Sequence, residues 1–208
     1  MKENKNKISV IKIGLLGDTA VGKTAIINSI FGVEFNLQMI MTIGTEKLQT
    51  KFKLKNNEDI KLVIWDSGGD ERGRHIAMKC MKTVHGIMLI FDFTKKKSFN
   101  NLNIWLNDIK DNLDDPLIIL VGNKVNINRD DWEVTSEEAS KFAKEKGIAF
   151  FETSAKTGQG INEGLSYIVN ESYDKLMRMD NKKIDLNNIK PNNNSNCPGN
   201  KKCKNNKK

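Results

Sequence analysis

The octapeptide Gly17–Thr24, GDTAVGKT, constrains the fold of this chain more than any other segment. It matches G-x-x-x-x-G-K-[ST] without a mismatch, it follows the apolar run Ile8–Leu16, and a helix is predicted from Lys23 to about Phe31. In that context the glycines let the backbone wrap around phosphates, while successive N–H groups and the helix N-terminus supply partial positive charge. Lys23 is expected to reach the β- and γ-phosphates, and the Thr24 hydroxyl to ligate Mg²⁺. The sequence therefore predicts a phosphate-binding loop at its first strand–helix junction.

Strands alternate with helices along the rest of the chain. Leu48–Leu54 and Ile60–Trp65 predict a hairpin, and the short apolar runs at 87–91, 117–121 and 149–151 are typical of covered strands. Helices are predicted around residues 99–109, from Thr135 or Ser136 to about Gly147, and over Ile161–Met177. This order predicts an α/β domain with a mainly parallel six-stranded sheet, one antiparallel strand and helices on both faces. Ligands of such sheets bind at the carboxyl ends of the strands.

The charge of the chain is concentrated at its C-terminal end. Residues 181–208 contain eight lysines and one aspartate, a net charge of +7, so the formal +8 of the whole chain leaves +1 for residues 1–180. This distribution favours a tail that makes transient contact with anionic membranes over a basic, nucleic-acid-binding face on the fold. The alternative is a disordered tail that only keeps the chain in solution. We expect a polar extension at 1–7, one domain at 8–180 and a disordered tail at 181–208.

The cysteines and the apolar segments indicate the cellular setting. Cys80, Cys197 and Cys203 have neither metal-ligand nor disulfide spacing, which predicts a reducing, cytoplasmic environment. No run of about 18 apolar residues is present, and no apolar stretch of a signal peptide follows Met1–Lys7. Cys203 is followed by KNNKK, which is neither C-a-a-X nor a terminal cysteine pair, so standard prenylation is not expected.

Four further segments resemble motifs of Ras-like GTPases. Gly122–Lys124, GNK, and Glu152–Lys156, ETSAK, each follow a predicted strand and are similar to the motifs that read guanine in that family. Trp65–Arg72, WDSGGDER, is similar to the family's W-D-T-A-G-Q-E-R, and Thr42–Gly44, TIG, is similar to switch I of Rab members. Residues 8–178 can be laid along the family with at most single-residue changes in length. The chain thus resembles a Rab-like small GTPase with a single P-loop G domain.

The resemblance implies a GTP/GDP-dependent switch that hydrolyses GTP slowly. It also implies a role in vesicle and membrane trafficking, a location in the cytoplasm or on the surface of endomembranes, and effector and exchange proteins that bind the switch regions. Thr24, Thr42 and Asp66 would hold Mg²⁺, and Gly69 with Asp70 would stand at the catalytic positions. Phe35 would stack on the base. The implied GTP/GDP-binding residues are Gly17, Thr19, Ala20, Val21, Gly22, Lys23, Thr24, Ala25, Phe35, Thr42, Gly69, Asn123, Lys124, Asn126, Ser154, Ala155 and Lys156.

Asn126 departs from the family's N-K-x-D base motif. A carboxylate at this position accepts hydrogen bonds from guanine N1–H and from the exocyclic amine, whereas an amide offers one acceptor oxygen and a donor NH₂. The substitution is expected to weaken guanine binding by about 2–4 kcal/mol, or roughly 30- to 1000-fold. A base with a carbonyl in place of the amine, such as xanthine, would be better matched.

Asp70 and the surface of the switch regions also depart from the pattern. The family has a glutamine where Asp70 stands, and that glutamine orients the attacking water with both a donor and an acceptor. Hydrolysis is therefore expected to be slower still here or to require a partner, with Asp70 as a general base toward water as the alternative. Rabs carry an aromatic trio where Lys47, Trp65 and Cys80 stand, so ordinary Rab effectors are not expected to recognise this chain.

Two functions remain open at this stage. The first is a Rab-like GTPase switch, favoured by the intact phosphate-binding loop, Thr42, Asp66 and Glu152–Lys156. The second is a pseudo-GTPase, an interaction module with the same fold and with weak or altered nucleotide binding and negligible hydrolysis, favoured by Asn126 and Asp70.

Overall fold

The computed structural model describes residues 8–36 and 42–188, with the backbone alone for Glu71 and for residues 181–188. Its strands are β1 (Val10–Leu16), β2 (Thr45–Lys53), β3 (Asp59–Ser67), β4 (Gly86–Asp92), β5 (Leu117–Asn123) and β6 (Ala149–Thr153). Its α-helices are α1 (Lys23–Ile30), α2 (Glu71–Cys80), α3 (Lys96–Asn100), α4 (Leu102–Asn112), α5 (Ser136–Lys146) and α6 (Ile161–Asn188), and a 3₁₀ turn occupies Arg129–Asp131.

The six strands form one mixed sheet in the order β2-β3-β1-β4-β5-β6. β2 runs antiparallel to β3, and the other neighbouring strands are parallel. Apolar side chains on the two faces form separate cores, one with α1 and α6 and the other with α2 to α5. All seven residues of β4 are buried, because helices cover this central strand on both sides. The predicted fold class is confirmed.

The ends of α5 show how local sequence sets an element boundary. Thr135 precedes the helix with an extended backbone, and its hydroxyl oxygen accepts a hydrogen bond from the Glu138 N–H at 3.1 Å. Gly147 ends the helix with φ of 67°, a left-handed conformation that suits glycine. The predicted helix from Thr135 or Ser136 to Gly147 is confirmed, with Thr135 as its cap.

Two helical segments differ from the sequence-based expectation. α2 was not predicted, because its sequence contains a glycine and several charged residues, which weaken the helical signal. The single helix expected around residues 99–109 is divided at Asn101 into α3 and α4. Ile104, one of the residues taken for its apolar stripe, is 45% exposed, and Trp105 is buried in its place.

α6 continues eleven residues beyond Met177, the end predicted for it. Residues 181–188 were expected to belong to the disordered tail, but they contain neither proline nor glycine, and their backbone is helical. The rest of the predicted tail, with Cys197 and Cys203, lies outside the described residues, as does the extension at 1–7. Within the described part of the chain, no helix has the length and apolar character needed to cross a membrane.

Candidate nucleotide-binding site

A cavity of about 470 Å³ opens where the carboxyl ends of β1, β3, β5 and β6 meet. Most of the residues predicted to bind nucleotide line it: Thr19, Ala20, Gly22, Lys23, Thr24, Ala25, Phe35, Thr42, Gly69, Asp70, Asn123, Lys124, Asn126, Ala155 and Lys156. Gly17, Val21, Asp66 and Ser154 are buried beneath this lining. The fold thus brings the separate sequence motifs to one cavity.

The phosphate-binding loop connects β1 to α1 with a backbone that glycine makes possible. Gly22 has φ of 100°, and a Cβ on it would lie 2.3 Å from Asn123 Nδ2. Ala20 also has a positive φ, 64°, a conformation that costs a non-glycine residue about 1–2 kcal/mol. Gly17 also has a positive φ, 143°, and a Cβ on it would lie 2.2 Å from Ile90 O, so the loop requires glycine at two positions and strains alanine at a third.

Lys23 is held at the centre of this loop. Its Nζ donates hydrogen bonds to the carbonyl oxygens of Gly17 and Asp18, both at 2.8 Å, and the residue is 5% exposed. Burial lowers the pKa of Lys23 to about 8, while the carboxylates of Asp66, Asp18 and Asp70 act in the opposite direction. The ammonium group is thus desolvated and close to carboxylates, and a phosphate would provide it with a further counter-charge.

Three oxygen atoms from different elements converge beside Lys23. Thr24 Oγ1 lies 2.5 Å from Asp66 Oδ2 and 2.8 Å from Thr42 Oγ1, and Thr42 Oγ1 lies 3.2 Å from the same carboxylate oxygen. The other Asp66 oxygen accepts a hydrogen bond from the Ser67 N–H at 2.9 Å, which fixes the carboxylate. Hydroxyl and carboxylate oxygens are the donors that Mg²⁺ prefers, so these residues fit the metal predicted for them.

Gly69 and Asp70 occupy the loop between β3 and α2. A Cβ on Gly69 would lie 2.3 Å from Asp18 C and Thr19 N, so its backbone packs directly on the phosphate-binding loop. Asp70 is the N-cap of α2, and its Oδ1 accepts a hydrogen bond from the Gly73 N–H at 2.6 Å. The Asp70 carboxylate, predicted at a catalytic position, therefore serves as a helix cap here, because aspartate is a preferred N-cap residue.

Asn123 connects the loops on the base side of the cavity. Its Nδ2 donates to Val21 O at 2.9 Å, and its Oδ1 accepts from the Ala155 N–H at 3.1 Å and from Thr153 Oγ1 at 3.3 Å. The N–H of Ala155, one of the residues predicted to bind nucleotide, is thus engaged by Asn123. These bonds hold the phosphate-binding loop and the Glu152–Lys156 segment in a fixed relation.

Asn126 faces the same side of the cavity, and its amide oxygen already has a partner. Ser154 Oγ accepts a hydrogen bond from the Thr157 N–H at 3.1 Å and donates its own hydrogen to Asn126 Oδ1 at 2.7 Å. Turning the amide over would let the Ser154 oxygen accept from the Asn126 NH₂ through its second lone pair, but it would leave the Ser154 hydroxyl hydrogen without this acceptor. The Asn126 NH₂ is therefore the arm of the amide that remains for a base.

Lys124 has φ of 74°, and its ammonium group is directed to a buried acid. Lys124 Nζ lies 2.5 Å from Asp92 Oδ2, close enough for an ion pair although the alignment misses hydrogen-bond geometry. Asp92 is fully buried, and its other oxygen accepts from the backbone and hydroxyl of Thr94 at 2.9 and 2.8 Å. Removing Lys124 would leave this buried carboxylate without its counter-ion.

Two supporting contacts were not predicted from the sequence. Asp18 accepts hydrogen bonds from Asn101 Nδ2 at 2.7 Å and Trp105 Nε1 at 2.8 Å, which connect the phosphate-binding loop to α4 and the residue before it. Trp132 stacks on Phe93 at 4.1 Å between ring centroids and donates from Nε1 to Ile127 O at 3.1 Å. The sequence signal for the Trp105 and Trp132 contacts is that a tryptophan N–H away from solvent needs an acceptor. That signal does not identify the acceptor.

Replacing Trp132 with phenylalanine is expected to weaken GDP binding about fivefold. The variant keeps a ring against Phe93 but loses the hydrogen bond to Ile127, the neighbour of Asn126, and such a bond contributes about 1 kcal/mol. The dissociation constant for GDP in excess Mg²⁺ measures the effect. Tyr167→Phe, which removes one hydroxyl from a ring outside the cavity, is the control and should change that constant less than twofold. Equal constants for Trp132→Phe and the unmodified protein would contradict the role.

Comparison with known proteins adds an independent finding. The model of the Ras family matches residues 12–174. The chain is 35% identical over 166 residues to the Ras-related protein Rab11A of Lotus japonicus, a match covering 79% of this chain and 72% of the relative. It is 35% identical over 178 residues to RABE1e of Arabidopsis thaliana, covering 83% and 79%, and 36% identical over 155 residues to Rab-4 of Dictyostelium discoideum, covering 74% and 75%.

Proposed function

Because the chain belongs to the Ras family and is a Rab-like small GTPase, we propose that it is a GTP/GDP-dependent switch in membrane trafficking whose base-recognition and catalytic positions are atypical. The observation that carries this proposal is the convergence of Thr24, Thr42 and Asp66 oxygens beside the Lys23 ammonium in one cavity. A cation site next to a phosphate site is what a nucleoside triphosphate requires.

The proposed phosphate site consists of the loop and of two elements that face it. Lys23 would contact the β- and γ-phosphates, and the Gly69 N–H would contact the γ-phosphate, since the Gly69 backbone packs on the Asp18–Thr19 peptide. Thr24, Thr42 and Asp66 would hold Mg²⁺, which when bound neutralises phosphate charge. Since Thr42 belongs to switch I and Gly69 to switch II, loss of the γ-phosphate would release contacts from both segments.

The proposed base site is bordered by Phe35, Lys124, Asn126 and Ala155, all of which line the cavity. Phe35 is 38% exposed and so has a free ring surface for stacking. Asn126 presents an NH₂ group where guanine also presents donors, so we propose that guanine nucleotides bind more weakly than in members with an aspartate there. Effector and exchange proteins would bind the switch regions, and the protein would act in the cytoplasm or on endomembrane surfaces.

The second candidate is a pseudo-GTPase interaction module. The bond from Ser154 to Asn126 favours it because that bond occupies the amide oxygen, and the bond from Gly73 to Asp70 favours it because it engages the carboxylate as a cap. Asn126 and Asp70 both leave the phosphate and metal residues in place, so a switch with weak base recognition remains the first candidate.

The nucleotide that accompanies the purified protein tests the proposal. Mild extraction in Mg²⁺, followed by chromatography of the released nucleotide, is expected to give GDP and GTP in less than one equivalent. The Lys23→Ala variant should release none, because its phosphate contact is lost. Absence of bound nucleotide, together with no GDP binding at millimolar concentration, would favour the interaction module and contradict a nucleotide switch.

A further inference from the structure

We propose that the exposed face of β2 and β3 beside α2 binds an acidic segment of a partner protein. This surface, the lysine strip, consists of Lys12, Lys47, Lys51 and Lys61. The proposal rests on the proposed function, because that function makes the partner an effector that binds near the switch regions. It defines the chemistry of that partner.

The strand register places the four lysines on one face of the sheet. Lys51 is directly opposite Lys61 in the antiparallel pair, and Lys47 is opposite Trp65. Lys12 of β1 is opposite Val63, which lies two residues from Lys61 and therefore on the same face. Lys47, Lys51 and Lys61 are exposed, whereas Lys12 is half-buried. β2 is the edge strand, so no further strand of the described sheet lies beyond Lys47 and Lys51.

No ion pair among the described residues involves a lysine of the strip, and the acid on the same face, Asp59, lies opposite Lys53 and two residues from Lys61. Lys12 Nζ donates to a hydroxyl, Thr83 Oγ1 at 3.3 Å, and Lys47 Nζ lies 5.6 Å from the centre of the Trp65 ring. Burial lowers the pKa of the His85 imidazole, and the positive charge of Lys12 lowers it further. The net charge of residues 1–180 is only +1, but this sum does not show that four lysines lie together on one face of the sheet.

Two lysines directly opposite each other are unfavourable in the free protein, because like charges in a cross-strand pair repel. The same two charges attract an anionic partner, so the pair that is unfavourable in the free protein favours the complex. Lys47 and Lys51 are four residues apart on an extended strand, about 13 Å, which is the length of a short extended acidic segment. The structure therefore offers a row of cations at a fixed spacing rather than a single one.

The surroundings of the strip favour a protein over a membrane or a nucleic acid. Trp65 lies beneath Lys47, and Ile43 and Ile76 are 94% and 38% exposed in switch I and on α2. Mixed apolar and charged contacts are typical of protein interfaces. The core residues of α6 pack against the opposite face of the sheet, so no described helix except α2 lies beside the strip on its own face.

Binding of a decaglutamate peptide to the full chain tests the proposal, with vesicles of anionic phospholipid and a duplex RNA as competing probes. The double variant Lys51→Gln/Lys61→Gln is expected to raise the peptide dissociation constant at least fivefold. The control, Lys141→Gln/Lys144→Gln on the exposed side of α5, removes the same charge and should raise it less than twofold. Equal losses in both variants, or tighter strip-dependent binding of vesicles or RNA, would overturn the proposal.

Two further measurements distinguish a failure of the lysine strip from a failure of the proposed nucleotide switch. Lys51→Glu, which creates an opposite-charge pair with Lys61, is expected to raise Tm by about 1–3 °C. A Tm that does not rise would show that the two lysines do not repel and would overturn the electrostatic basis of the strip. GDP binding should be unchanged in the strip variants. If the unmodified protein binds the peptide but not GDP, the proposed switch fails while the acidic-segment site stands.

Discussion

Replacing Asn126 with aspartate is expected to tighten GDP binding by about 30- to 1000-fold. In the unmodified chain the Ser154 hydroxyl donates to Asn126 Oδ1, and the NH₂ arm remains for the base. Guanine presents two donors at this position, its N1–H and its exocyclic amine. The Asn126 NH₂ is also a donor, so it faces a guanine donor and forms no hydrogen bond with it. A carboxylate supplies a second acceptor oxygen while it still accepts from Ser154, and its charge strengthens each bond to the base.

Isothermal titration with GDP in excess Mg²⁺ measures this change. Asn128→Asp is the matched control, because it places the same charge two residues further along the same loop. Asn128 caps the 3₁₀ turn by accepting from the Asp130 N–H, and aspartate can do the same. The variant loses the bond from Asn128 Nδ2 to Asp130 Oδ2, but both side chains are exposed to solvent, so the control should alter the constant less than twofold. Comparable GDP dissociation constants for the unmodified protein and Asn126→Asp would contradict the assignment of Asn126 to the base site.

Replacing Asp70 with glutamine is expected to raise the single-turnover rate of GTP hydrolysis about tenfold or more. Asp70 Oδ1 accepts from the Gly73 N–H, so the carboxylate is engaged at the start of α2. Its negative charge also lies near the place proposed for the γ-phosphate. Glutamine is longer, neutral, and offers both a donor and an acceptor to water. It is a weaker cap, so α2 should lose about 0.5–2 kcal/mol of stability at the same time.

Asp70→Asn separates capping from catalysis, because asparagine caps a helix about as well as aspartate but cannot act as a base. If Asp70 is a cap, this variant should hydrolyse GTP no more than about threefold more slowly than the unmodified protein. General-base catalysis typically contributes 10²- to 10⁴-fold, so a loss of that size would identify Asp70 as a base instead. A faster rate in the unmodified protein than in Asp70→Gln would contradict the prediction.

The fold and the phosphate site were accessible from sequence because their signals are local. The phosphate-binding loop occupies eight consecutive residues, and apolar runs such as 87–91 are short enough to indicate covered strands directly. A cap at Thr135 or Ser136 was predicted for the same reason, since a cap and its N–H donor, here Thr135 and Glu138, are three residues apart.

The contacts that were missed depend on residues far apart in the chain. Asn123 connects to Val21 across 102 positions, and Trp105 reaches Asp18 across 87. Asp70 was interpreted through the glutamine of the family, and nothing in the sequence showed that an aspartate followed three residues later by Gly73 would begin a helix. The lysine strip depends on the strand register, which sets Lys51 opposite Lys61 and is not contained in the composition.

Competition between xanthosine diphosphate and GDP for the unmodified protein tests the central claim most directly. Xanthine carries a carbonyl where guanine carries its exocyclic amine, so the Asn126 NH₂ would gain an acceptor instead of opposing a donor. The phosphate and Mg²⁺ contacts are the same for both ligands, so their ratio isolates the base. We predict that xanthosine diphosphate binds at least as tightly as GDP. A preference for GDP of more than about tenfold, which corresponds to 1.4 kcal/mol, would contradict the claim.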